Sequence, residues 1–130
     1  MEPIRQALML AGRVLLAALF VLAGFDHLGD YASTQQWLLE HGLAAGWLPL
    51  VIALELGAGI ALGVGWQTRR AAVLLATLSL MVGLRVHGLD DPLQELLLMH
   101  NLAIAGGLLI LGAQGPGRFS VDAARERALA

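Results

Sequence analysis

Residues 47–66 read WLPLVIALELGAGIALGVGW, twenty positions with a single charge, Glu55. A run of that length and composition matches the roughly 20 residues that a helix needs to cross a hydrocarbon core of about 30 Å. Three other stretches match it. One runs from about Ala7 to Phe25 and is broken only by Arg13. Another starts after Arg69 and Arg70 and reaches about His87, and the last runs from about Leu93 to Ala113 and carries His100 and Asn101. Backbone polar groups in lipid must be satisfied within their own segment, so each stretch is predicted to be a helix. The period-two alternation of a membrane barrel is missing from these runs, and their Ala and Leu content favours helix. The sequence therefore predicts an all-α, integral membrane four-helix bundle, a single domain over residues 1–130.

Composition points the same way. The chain is 58% hydrophobic and 14% charged, with a mean hydropathy of +0.73, whereas ordinary soluble domains are about 25% charged. A domain this small leaves much of its chain exposed, so a water-soluble globule and a disordered chain are both excluded. The net charge is −2, with eight arginines and no lysine, which leaves no basic face for nucleic acid. The lack of cysteine removes disulfides, thiolate metal sites and cysteine catalysis. No convincing cleavage site follows the first run at Gly24-Phe25-Asp26-His27, so that segment is expected to be retained.

The arginines set the expected orientation. Arg5, the pair Arg69 and Arg70, and Arg118, Arg125 and Arg127 flank one side, while Asp26, Asp30, Glu40, Asp90, Asp91 and Glu95 gather on the other. Both termini are thus expected in the cytoplasm. Within the first outer loop, Ser33 followed by Gln36 reads as a helix start and Gly42 as its stop. This predicts a short amphipathic helix at the interface, anchored by Tyr31, Trp37 and Trp47. Ser120-Val121-Asp122 is expected to open an amphipathic tail helix over residues 122–130, whose arginines suit an anionic leaflet.

Polar side chains in the apolar runs are the candidate functional residues, because each is costly in lipid and asks for a partner. Arg13 and Glu55 sit at depths that can meet on antiparallel neighbours, so they are expected to form a buried ion pair. That pair either fixes helix register alone or supplies a carboxyl that carries a proton or anchors a ligand. Gly59 and Gly63 continue the Glu55 stripe at i, i+4 spacing and are expected to pack helices closely. The four histidines all fall in the outer half, and His27, His87 and His100 are the weak metal or haem candidates. None has a partner at helical ligand spacing, so no metal site is expected. His100, deepest and beside Asn101, is the strongest single candidate for ligand contact. Nucleophile elbows, phosphate loops and paired catalytic carboxylates are all missing.

Read in order, several of these residues resemble the DoxX family of small bacterial membrane proteins. They include Arg13, Phe20, Ala23-Gly24, Leu54-Glu55-Leu56-Gly57, Gly63, Arg69-Arg70, Asn101-Leu102 and Gly106-Gly107. The tail Gly115-Pro116-Gly117-Arg118-Phe119-Ser120-Val121-Asp122 is the most specific piece. Many members carry a lysine just after the Gly24 region, where this chain has His27. The resemblance implies a four-helix membrane bundle and a link to respiratory redox chemistry, since named members are membrane subunits of a thiosulfate:quinone oxidoreductase. The expected function is accordingly an accessory subunit of a quinone-linked oxidoreductase in the bacterial inner membrane. In that reading quinone enters laterally and meets Arg13, Glu55, His100 and Asn101, and a cofactor-bearing protein partner carries the electrons. The alternatives are a structural or assembly component of the membrane and, ranked last, a small-molecule or proton transporter built as a homo-oligomer.

Overall fold

The computed structural model describes residues 2–87 and 89–130, and among them every regular element is helical. Helix α1 spans Glu2–Gly29, α2 Tyr31–Glu40, α3 Leu48–Val64, α4 Thr68–Val86, α5 Pro92–Gln114 and α6 Val121–Leu129, with one 3-10 turn at Ala45–Trp47 before α3. Three segments are long and apolar enough to cross a membrane: Glu2–Gly29, Ala45–Val64 and Pro92–Gln114. Helix α4 is 19 residues long but carries Arg69, Arg70 and Arg85.

The helices pack in the order α1, α3, α4, α5, with the broadest contacts between α1 and α3 and between α4 and α5. The core draws on all four: Ala17 and Phe20 from α1, Leu62 from α3, Leu75 and Ala76 from α4, and Leu108 and Leu111 from α5. Its small residues let the axes approach closely, which supplies van der Waals attraction where lipid offers no hydrophobic drive. Large side chains such as Leu15, Leu22, Ile60, Leu74 and Ile110 point outward, as expected where the surroundings are as apolar as the core.

Local signals explain most helix ends. Pro92 begins α5 within its first turn and Asp91 caps it, accepting a hydrogen bond from the Leu93 amide at 3.4 Å. Ser120 caps α6, its hydroxyl oxygen accepting from the Ala123 amide at 3.1 Å. The first helix is longer at both ends than its apolar run. The loop helix starts at Tyr31 instead of at Ser33, because Asp30 continues the backbone bonding of α1 through its amide to the Asp26 carbonyl, 3.0 Å away. It stops as expected, with Gly42 at φ +73°.

Both termini come to one end of the molecule, called here the arginine end, where a polar clamp ties the tail to three helices. The Asp122 carboxylate accepts from the amides of Gln67 and Thr68, each at 2.9 Å, and so caps α4. The Asp122 amide donates to the Gly65 carbonyl at 2.9 Å. Arg13 donates to the carbonyls of Pro116 at 2.5 Å and Phe119 at 2.6 Å, and Gln6 accepts from the Arg118 amide at 2.7 Å. Gly65 makes the clamp possible. It turns with φ +78°, and a Cβ there would lie 2.3 Å from the Ser120 Cβ.

Gly65→Ala is therefore expected to lose more than about 1 kcal/mol, since left-handed backbone alone costs an L residue that much; thermal unfolding in detergent measures it. Asp122 yields a second expectation. Partial burial opposes its charge, but the amide donors of Thr68 and Gln67 outweigh that and hold the carboxyl below its ordinary range. A lowered folded pKa stabilises fully above the unfolded carboxyl's value of about 3.9, and the gain is lost as pH falls through the folded value beneath it. Asp122→Asn should be less stable at neutral pH and should lack that acid-dependent loss.

Candidate functional site

Glu55 lies seven residues into α3, about 10 Å along the axis from its start, and is 7% exposed. A carboxyl at that depth demands a hydrogen-bond partner. The partner is His27, in the last turn of α1: Nδ1 of His27 lies 2.7 Å from Oε2 of Glu55, and the two share a hydrogen bond. The His27 side chain is 36% exposed and that of Glu55 9%. The pair thus joins a buried carboxyl to an imidazole that is partly open at the surface, and Nε2 is the ring nitrogen left for another contact.

The seam between α1 and α3 places the pair. A Cβ on Gly63 would sit 3.3 Å from Ala17, one on Gly59 3.1 Å from Val21, and one on Gly24 3.3 Å from the Cβ of Glu55. Small residues along this line bring the backbones together as the glycine stripe predicts, and they bring Glu55 level with Gly24. His27 is the next residue of α1 on the same face, one turn further on.

This register overturns the expected Arg13–Glu55 ion pair. Gly24 stands level with Glu55, and Arg13 lies eleven residues earlier in α1, about 16 Å along the axis at 1.5 Å per residue. Arg13 is 2% exposed and belongs to the clamp at the arginine end, where its two terminal nitrogens are taken by backbone carbonyls. Its Nε has no partner among the described residues.

The expected set of Arg13, Glu55, His100 and Asn101 is likewise not assembled. His100 faces outward from α5. Asn101 is half-buried against α4, donating from its side-chain amide to the Leu97 carbonyl at 3.0 Å, with its Cβ 2.9 Å from where a Cβ on Gly83 would stand. The other histidines have separate surroundings. His87 donates through Nδ1 to Gln94 Oε1 at 2.7 Å, and His41 bonds the Trp37 carbonyl and stacks on its ring with centroids 4.3 Å apart. Among the described residues, no three His, Cys, Asp or Glu side chains gather as metal ligands would, so His27, His87 and His100 share no centre.

Comparison with known proteins agrees with this frame. The DoxX family model matches residues 8–88. The chain belongs to the DoxX family. This DoxX protein is 37% identical over 123 residues to the inner membrane protein YqjF of Escherichia coli strain K12, covering 94% of this chain and 95% of that protein. It is 29% identical over 126 residues to the inner membrane protein YphA of the same strain, covering 91% and 90%. No solved structure matches it significantly. With three segments able to cross a bilayer and relatives named for the inner membrane, it is a multi-pass inner-membrane protein. The family match takes in Arg13, His27 and Glu55, while His100, Asn101 and the clamp's tail lie beyond it.

A double-mutant cycle measures the pair directly. The destabilisations of His27→Leu and Glu55→Leu are expected to sum to more than that of the double variant, with a coupling of about 0.5–1.5 kcal/mol, the range double-mutant cycles find for interhelical hydrogen bonds in bilayers. Unfolding in mixed detergent micelles reads that coupling.

Proposed function

We propose that this DoxX protein is an accessory membrane subunit of a quinone-linked oxidoreductase, with the His27–Glu55 pair as its proton-handling site. The observation that carries the reading is the 2.7 Å contact between a buried carboxyl and a partly open imidazole. Such a pair can take up a proton on a short path from the surface to the apolar interior. Quinol oxidation releases two protons and two electrons. The pair would accept one proton through His27, the second would leave to water at the same surface, and both electrons would pass to a cofactor-bearing partner. Two clefts at the arginine end are not lined by Glu55 or His27. In this reading a quinone headgroup reaches His27, which is partly open at the surface, from the lipid side.

The proposal includes four crossings, with α4 as the fourth. At 19 residues it spans about 28 Å, it packs between α3 and α5, and its arginines lie within two residues of its ends, where long side chains reach the interface. It also includes the arginine end in the cytoplasm, as the distribution of arginine favours. A partner protein and self-association are part of the same reading.

A second reading has its own support. The pair continues the Gly59 and Gly63 seam, so it can serve only to lock α1 on α3, and the protein would then be an assembly component without chemistry. Tryptophan fluorescence separates the two, because Trp37 and Trp47 belong to the end of the molecule where His27 lies. The quinone reading predicts saturable quenching of the purified protein by a short-chain ubiquinone, weakened at least about tenfold in Glu55→Gln, the loss of one charge-assisted hydrogen bond. Wild-type protein without saturable quenching would refute it and leave the assembly role.

A further inference from the structure

Six of the eight arginines stand around α6 in two groups of three. Arg5, Arg118 and Arg127 line a cleft on one side of the helix, and Arg69, Arg70 and Arg125 line a cleft of about 540 Å³ on the other. The second cleft has the more telling chemistry. Its acid Asp122 is occupied by the amides of Gln67 and Thr68. Arg69 is occupied by the carbonyls of Gly112 at 3.2 Å and Ala113 at 2.8 Å. Arg70 and Arg125 are exposed, and among the described residues neither makes an ion pair within 4 Å or a side-chain hydrogen bond, although Arg125 is near enough to Asp122 to attract its charge. Glu126 is the one other acid of the lining.

Apolar surface lies beside this charge. Leu129, which lines the cleft, is 84% exposed, and Trp66, the residue before Gln67, is 47% exposed. Free guanidinium forks next to exposed apolar groups form the pattern of a ligand that is anionic at one end and oily at the other. Guanidinium suits phosphate better than ammonium does, because its planar fork donates two parallel hydrogen bonds.

We propose that this cleft seats the headgroup phosphodiester of an anionic phospholipid, held by Arg70 and Arg125, with the acyl region against Trp66 and Leu129. A soluble phosphate would leave that apolar rim unused. The assignment rests on the arginine end lying at a bilayer surface and is independent of quinone. It explains why the tail folds back onto the bundle: the α6 helix forms one wall of the cleft, and the clamp holds that wall in place.

The test uses the full chain in a neutral detergent, titrated with phosphatidylglycerol, phosphatidylcholine or inorganic phosphate and followed by thermal unfolding and native mass spectrometry. Phosphatidylglycerol is expected to raise the unfolding temperature and remain bound, and phosphatidylcholine to do neither. Arg70→Gln with Arg125→Gln should weaken phosphatidylglycerol binding about tenfold or more while the lipid-free variant still unfolds in one cooperative transition. Arg85→Gln, at the opposite end, should bind as wild type does. Equal response to both lipids, full retention of binding in the double variant, or inorganic phosphate matching the lipid would each overturn the proposal. No quinone is present, so that failure leaves the quinone titration unaffected.

Discussion

A carboxyl carried into an apolar layer on a 17-residue helix must be answered by a neighbour, because neither lipid nor its own helix offers it a proton donor. In this DoxX protein the answer is the imidazole of His27 in the last turn of α1. That hydrogen bond and the small-residue seam agree on how α1 lies on α3. With Glu55 level with Gly24, the glycines at 59 and 63 fall opposite Val21 and Ala17. A shift of one turn would replace Ala17 opposite Gly63 by the larger Val21 or Arg13. Polar pairing and close packing thus specify the same register, a consistency between levels that marks a well-specified fold.

The other end is held differently. Arg13, too deep for water and too far from Glu55, finds backbone carbonyls that a turn between α5 and α6 presents to it. Asp122 supplies the reverse, a carboxylate presented to the free amides at the start of α4. Asp122 thereby satisfies amides that a helix start leaves open, and Arg13 satisfies carbonyls of the turn itself. The result is a molecule with two polar ties, one at each end of the α1–α3 seam, and an apolar core between them.

Much of this was legible in sequence. The apolar runs, the tail helix opened at Ser120 and the packing role of the Gly59–Gly63 stripe follow from hydropathy, capping chemistry and spacing alone. The partner of Glu55 was not, because hydropathy marks where a helix becomes apolar and not where it ends. The first run looks like residues 7–25, yet the helix extends over Glu2–Gly29, so His27 reads as loop and Arg13 as central. A usable signal was present: Ala17, Phe20, Gly24 and His27 follow at steps of three and four, the complement of Glu55, Gly59 and Gly63. His100 was misplaced for another reason. Helix α5 is apolar on all sides, so spacing could not say which face turns inward, and the structure turns that of Ala105 and Leu108.

The most direct test of the account is a solid-state NMR distance measurement in lipid, with nitrogen-15 in the His27 ring and carbon-13 in the Glu55 carboxyl. A strong dipolar coupling between Nδ1 and the carboxyl carbon is the result predicted from the 2.7 Å contact. Its loss, with the Glu55 carboxyl coupled instead to the guanidinium of Arg13, would contradict the register on which the seam, the clamp and the proposed proton site all stand.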